Sequence, residues 1–443
     1  MSRIIIDVTQ LVHWSGKLTG IPRVMYELAV RFSREKNEDI VFATWVKDIQ
    51  EMCEVDFSAT MAVRGNGIVY RKKGEPWPPQ APLSARAAAA PAAVSADGKR
   101  PVTVKRIVKY GLRKAKRVAP GLAGKLEQQG KQLVLNSYHR VELGAGDTLF
   151  IPWGEWWDPN FIQLLKDWHA NGMNLAPVIH DIGPMVAPQF SGHSTDSLAD
   201  YTRNIVPIAE LTLVVSNNTK KDLISWLAAQ NLQAPRIEVF RLGEDFEFSS
   251  KPKKPVDPLF TKSGLKGNDY IMCMGTVELK KNHMLLYYVY KLAKQRGITL
   301  PKLLIVGRRG WKTETVLDLI ATDTEVNQDI LALHDISDEE LVWLYDHCKF
   351  TVLPSIYEGW GIPVAESLAH GVPCVCSNTS SMVEIAPGIT QHFSPYSTDE
   401  CLAAIQRLLD PKEYKAAQAR AKQFKQTSWD DSYKQVKMYL ETL

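Results

Sequence analysis

The sequence predicts an α/β fold: two doubly wound, Rossmann-like domains facing a deep interdomain cleft. Short apolar runs alternate with amphipathic helical patterns along most of the chain, as βα units on a parallel sheet require. The stretch KPKKPVDPLFTKSGLKGN (251–268) interrupts the alternation, which then restarts. The chain has 443 residues, more than one ordinary core organises, so two or three domains are expected.

The elements follow in order. In the first domain, 1–250, RIIIDV reads as a strand and TGIPRVMYELAVRFSRE as the helix after it. DIVFATWV, DTLFIPW, NLAPVIHD and LTLVVSN read as further strands. The second domain, 265–425, opens with the strand YIMCMGT and a helix over 282–296. PKLLIVG, CKFTVLPS and VPCVCSN supply its next strands. Ligands of such sheets bind outside the carboxyl ends of the strands, and two facing sheets make one cleft.

One region breaks the pattern. Pro and Ala dominate residues 75–101, which read as a disordered insertion. A basic stretch follows, and the whole insertion runs over about 75–131. Residues 99–131 hold eleven Lys or Arg and one acid, about +10 on a chain whose formal net charge is +4. Val104, Ile107, Val108, Leu112 and Ala115 fall near helical spacing between the basic residues. One reading is an interfacial helix on an anionic membrane surface. The other is a solvated basic helix or a flexible arm. Nucleic acid is not expected as a partner, because the rest of the chain is acidic and the segment has a single aromatic, Tyr110.

Bulk properties exclude other classes. No run of eighteen apolar residues appears. The N-terminal MSRIIIDVTQLV is apolar too briefly for a secretory signal and carries Asp7. A cytoplasmic protein is expected. The six cysteines show no CxxC spacing and read as buried small hydrophobes, neither a disulfide framework nor a metal site.

The chemistry concentrates in YEGWGIPVAE (357–366). A strand precedes it and a helix begins near Pro363, so Glu358 lies on the turn and Glu366 in the first or second helical turn. Gly359 and Gly361 permit close backbone approach of a ligand to a helix N-terminus, which favours phosphate. A carboxylate accepts from two hydroxyls at once, which suits a ribose diol. The arrangement fits a nucleotide bearing a sugar. The plainer reading makes Glu366 a helix-dipole partner and Glu358 a solvated turn acid.

The longer run YEGWGIPVAESLAHGVPCVCSN resembles the signature of the retaining glycosyltransferases of family 4, which have the GT-B fold. MGTVELKKNHMLL resembles that family's G-T-x-E-x-R-K-N segment through Gly275, Thr276, Glu278, Lys281 and Asn282, with Lys280 in place of the usual Arg. LLIVGRRGW and HDISDEELVWLYDHCKFTVLPS match further, so the likeness covers nearly all of 265–390. The N-terminal half matches more sparsely, in TGIPRV, VIHDIGP, VVSNNTKKDL and RLGEDF. Trp429 and its helix, within 426–443, resemble the segment that crosses back to the first domain.

The resemblance implies a nucleotide-diphospho-sugar substrate and no metal or other cofactor. It assigns catalysis to His180, Glu358 and Lys281. Lys281 and Lys280 face the diphosphate leaving group, where contacts strengthen as charge builds in the transition state. Lys280 lacks the planar fork of Arg, so bidentate phosphate contact is not expected there. Gly20, Gly275, Thr276, Gly359 and Gly361 line the donor, Glu366 meets its ribose and Glu358 its sugar or phosphates. Arg308 meets base or phosphate, or is an exposed basic turn. His180 sits beside the donor sugar; Asp181 orients His180 or meets the acceptor. The combination of TGIPRV, HDIGP and GRRGW looks most like bacterial mannosyl- and rhamnosyltransferases of polysaccharide assembly. That implies GDP-mannose as first donor and a glycan or lipid-linked glycan acceptor at the inner face of the cytoplasmic membrane. The alternative is a non-catalytic nucleotide-sugar-binding partner of a polysaccharide synthase complex.

Overall fold

A computed structural model describes residues 2–14, 18–35, 37, 39–62, 139–190, 195–245, 253–310 and 313–443. The expected insertion at about 75–131 lies outside the described residues. The chain forms two compact units, Met1–Glu155 with Pro159–Asn174, and Trp156–Asp158 with Leu175–Leu443.

In the first unit the apolar runs become β1 (Ile4–Asp7), β2 (Ile40–Val46), β3 (Glu51–Glu54) and β4 (Thr148–Ile151), in the order β3-β2-β1-β4. β1 pairs parallel to β2 and β4, while β3 closes the edge antiparallel to β2. Gly20 caps the helix Ile21–Arg34, and Pro22 stands in its first turn, where a missing N–H costs nothing. Val24, Met25, Leu28, Ala29 and Phe32 bury one face of it.

The second unit begins with the parallel strands β5 (Asn174–Ile179), β6 (Thr212–Val214) and β7 (Ile237–Val239). It continues into a six-stranded sheet of β8 (Tyr270–Met274), β9 (Lys302–Val306), β10 (Ile330–Leu333), β11 (Thr351–Leu353), β12 (Cys374–Ser377) and β13 (Gln391–Phe393). Every pairing in it is parallel and the order is β10-β9-β8-β11-β12-β13. Both faces are covered. Ile271, Cys273, Leu303, Ile305 and Val352 pack on one side, and Tyr270, Met272, Leu304 and Val306 on the other. Such strands read as continuous apolar runs because both faces are buried. The chain reverses direction across the sheet between β8 and β11, the place where open parallel sheets bind ligands.

The helix Trp429–Leu440 starts at a Ser428 capping box and buries Trp429. It packs on the end of β7 and the segment after it: Ser432 Oγ donates to Arg241 O (2.6 Å) and Tyr439 OH to Val239 O (3.3 Å). All six cysteines are buried and unbridged. Among the described residues no helix is long and apolar enough to cross a membrane.

Candidate functional site

Two loops leave the carboxyl ends of β8 and β11 and are tied together. After β8 the chain passes Gly275 and Thr276 and makes one tight turn, Leu279–Lys281. Asn282 then takes a left-handed conformation (φ 58°). Its side-chain amide donates to Pro354 O (3.2 Å), just past β11, and to Pro395 O (2.9 Å), just past β13, pinning the turn to the ends of both strands. Ile356 N donates to Lys280 O (2.8 Å). Adjacent strand order thus presents Lys280 and Lys281 beside the Tyr357–Gly361 loop.

That loop is held from three sides. Ser380 Oγ accepts from Glu358 N (2.9 Å), and Ser381 Oγ donates to Glu358 O (2.9 Å) and Trp360 O (2.8 Å). Tyr357 OH donates to Asp222 Oδ2 (2.7 Å) and Thr219 Oγ1 to Gly359 O (3.3 Å), both from the helix Asn217–Ala229. A Cβ on Gly359 would lie 2.1 Å from His180 O, so only glycine fits where this loop meets the end of β5. Gly361 (φ 96°) caps the helix Ile362–Ala369 in a conformation that disfavours side chains. Pro363 follows at the start of the helix, and Glu366 is buried in its second turn.

The charges pair across these loops. Lys281 Nζ lies 2.5 Å from Glu358 Oε1, and Lys280 Nζ lies 3.5 Å from Asp181 Oδ2 and 3.9 Å from Glu278 Oε1. Asp181 also accepts from Gly183 N (3.0 Å). Burial alone would raise Asp181, but the Lys280 ammonium and the Gly183 N–H outweigh it and hold the acid below its ordinary range. Glu358 is held low in the same way, against burial, chiefly by Lys281 and Lys280. The Asp181 charge raises Lys280 in turn, so this lysine stays cationic. Tyr345 OH donates to Glu366 Oε2 (3.0 Å), fixing the carboxylate.

Of the residues singled out by sequence, His180, Asp181, Lys280, Lys281, Glu358 and Gly359 come together within the second unit. Gly275 lies under Lys281: a Cβ there would sit 3.6 Å from the lysine Cε. Thr276 packs its methyl against Gly310. Arg308, just past β9, accepts from Val277 N through its main chain (2.9 Å), beside the same loop. Gly20 belongs to the first unit, at its helix start. Sequence reasoning passed over Tyr345, Asp222, Ser380 and Ser381, whose bonds aim Glu366 and the Glu358 loop. The only signal for the two serines was their place in SNTSS just after β12, at the carboxyl edge of the sheet. Among the described residues no group of three or more His, Cys, Asp or Glu side chains is placed to hold a metal ion.

The profile of the family described as glycosyl transferases group 1 matches residues 257–425. The chain carries a group 1 glycosyl transferase domain. That domain contains β8 to β13 and both loops of the site. O-antigen chain mannosyltransferase B of Escherichia coli is 30% identical over 259 residues, 57% of this chain and 66% of that protein. The serotype-specific mannosyltransferase WbdA of Escherichia coli is 23% identical over 284 residues, 62% of this chain and 34% of that protein. The chain thus spans from a third to just under two thirds of these relatives. The fold is GT-B. Anabaena HepE, solved with UDP-glucose, matches with a TM-score of 0.58 at 15% identity over the whole of both chains. Sucrose-phosphate synthase from Thermosynechococcus elongatus matches with the same score at 14% identity, over 100% of this chain and 99% of that one.

Proposed function

We propose that the protein is a retaining glycosyltransferase that moves mannose from GDP-mannose to a glycan or lipid-linked glycan in bacterial surface polysaccharide synthesis. The observation that carries the reading is the convergence of Lys280, Lys281 and Glu358 at the switch point of the glycosyl transferase domain, against His180 and Asp181. The relatives' names, O-antigen chain mannosyltransferase B among them, support the choice of sugar and product class.

In this reading the two lysines and the N-terminus of the helix Ile362–Ala369 receive the diphosphate, and Glu366, held by Tyr345, receives the ribose. Lys281 and Lys280 supply the positive charge that a metal supplies in other transferases. The bond from the sugar C1 to the phosphate oxygen breaks, and the acceptor oxygen bonds to C1 on the same face. The acceptor's proton passes to the leaving phosphate oxygen, and the nucleoside diphosphate departs. His180 contacts the donor sugar; it is assigned no proton. The carboxylates paired with the lysines pre-orient them, so little reorganisation remains when the phosphates arrive. The net charge of residues 99–131, outside the described residues, supplies a reason for residence on an anionic membrane face.

The test is donor turnover. Purified protein is titrated with GDP-, UDP- and dTDP-sugars in a thermal-shift assay, where stabilisation rises with ligand above its dissociation constant. Release of free sugar without acceptor is then measured. GDP-mannose is expected to stabilise the protein and to be slowly hydrolysed with retention at C1. Stabilisation without any hydrolysis or transfer would support the non-catalytic binder instead, and no stabilisation by any nucleotide sugar would overturn both readings.

A further inference from the structure

We propose that Arg241 is a positioning residue for the Glu358 loop, acting through Trp360; the inference rests on the function proposed above. The guanidinium lies over the Trp360 ring, 4.8 Å from its centroid. Trp360 stands two residues from Glu358, and its carbonyl shares the Ser381 hydroxyl with the carbonyl of Glu358. A shift of the indole therefore moves the main chain that presents Glu358 to Lys281.

Arg241 has a firm base from which to do this. Its N donates to Gln435 Oε1 (3.1 Å), and its carbonyl accepts from Ser432 Oγ (2.6 Å). The residues after it are clamped as well. Glu244 N donates to Thr427 O (3.0 Å), Thr427 N to Glu244 Oε2 (2.6 Å), and Trp429 N to Asp245 Oδ1 (2.7 Å). A Cβ on Gly243 would meet Trp429 at 2.6 Å, so the segment and the C-terminal helix are in direct backbone contact. The helix Trp429–Leu440 and the Glu358 loop are thereby linked through one stacked arginine.

The energetics point away from a purely structural role. Arg241 Nε and Nη2, Glu244 Oε1 and Trp360 Nε1 are all buried without a hydrogen-bond partner among the described residues. Burying such groups unmatched costs stability, and an apolar side chain of similar length would be cheaper. A residue that costs stability and touches the reactive loop fits the trade between stability and activity.

The experiment compares wild type, Arg241→Met, Arg241→Lys and Trp360→Leu for melting temperature, and for kcat and donor KM in GDP-mannose hydrolysis. Arg241→Met is expected to melt at or above wild type while kcat falls at least tenfold with donor KM changed less than threefold. Arg241→Lys, which keeps a cation over the ring, is expected to recover part of that loss. Trp360→Leu is expected to reproduce the loss, and the double variant to lose no more than either single one. Wild-type kcat in Arg241→Met overturns the proposal, as does a kcat loss that Arg241→Lys does not relieve. Should Arg241→Met fail to fold, Arg241→Lys and Trp360→Leu decide alone: wild-type kcat in Trp360→Leu overturns it. If wild type itself turns over no nucleotide sugar, the proposed function fails and takes this inference with it; a working wild type with unaffected variants sinks only the inference.

Discussion

Lys281 Nζ and Glu358 Oε1 lie 2.5 Å apart across 77 residues of sequence, joining the loops that follow β8 and β11. Both side chains are largely buried, so each charge depends on the other. Lys281→Ala leaves Glu358 buried beside Lys280 alone, and Glu358→Ala leaves Lys281 without its acid. Breaking such a pair from one side costs about 3 kcal/mol or more, because the remaining charge stays desolvated. Each single variant is expected to melt lower than wild type, and the double variant Lys281→Ala/Glu358→Ala to lose less than the sum. Additive losses in denaturant titrations would count against the pair. Turnover is expected to fall about 100-fold in Lys281→Ala, as for removal of one transition-state donor.

Glu366 is aimed by Tyr345. Tyr345→Phe deletes the buried hydroxyl that donates to Glu366 Oε2. A hydrogen bond to a charged group contributes about 2 kcal/mol. Donor affinity is expected to weaken in Tyr345→Phe, and more in Glu366→Ala. Nucleotides lacking the ribose hydroxyls should separate the two effects in calorimetry. A ribose contact predicts that Glu366→Ala binds nucleotide and deoxyribose analogue alike; persistent discrimination would remove Glu366 from the ribose.

Gly359 has no room for a methyl group. Its Cβ would collide with His180 O at 2.1 Å and approach Asp181 Cβ at 3.0 Å. Gly359→Ala is expected to lower stability by about 2 kcal/mol, the usual range for overpacking. It should also cut turnover, because the displaced backbone carries Glu358. Gly388→Ala is the control, since nothing lies within 4 Å of a Cβ there, although its φ of 77° adds strain. Equal turnover in the two variants would show that contact with His180 does not matter.

Stability should depend on pH with a defined sign. Burial pushes Glu244 up to about 7, with Asp245 and Glu366 adding to the rise while Thr427 N–H and Arg241 oppose it. Burial also pushes Asp7 up to about 7. An acid raised in the fold holds its proton more tightly there than in the unfolded chain. Its contribution is present below about 4 and lost as pH rises through about 7. Asp181 and Glu358 are lowered, so their contribution is present above the ordinary carboxylate range and lost as pH falls below it. Melting temperature is therefore expected to fall from pH 5.5 to pH 8. Glu244→Gln should remove about 2 kcal/mol of that change at most, and so flatten the slope. An unchanged slope in Glu244→Gln would remove Glu244 as its source.

The sequence by itself determined the strands that lie inside the sheets. β1, β2, β4, β5, β6, β8, β9, β11 and β12 are legible because burial on both faces demands unbroken apolar runs. β3, β7, β10 and β13 are not legible because edge strands are short: β7, β10 and β13 are only partly buried, as in QHF, and β3, though mostly buried, is four residues with an acid at each end, EMCE. Glycine and proline around Glu358 placed the turn and the helix start by local sterics alone. Only the tertiary structure decided which charge meets which. Lys281 with Glu358, Lys280 with Asp181, Tyr345 with Glu366 and Arg241 with Trp360 are pairings made by strand order and loop docking. Local spacing carries no record of such contacts, because a parallel sheet brings together residues that the chain keeps tens of positions apart.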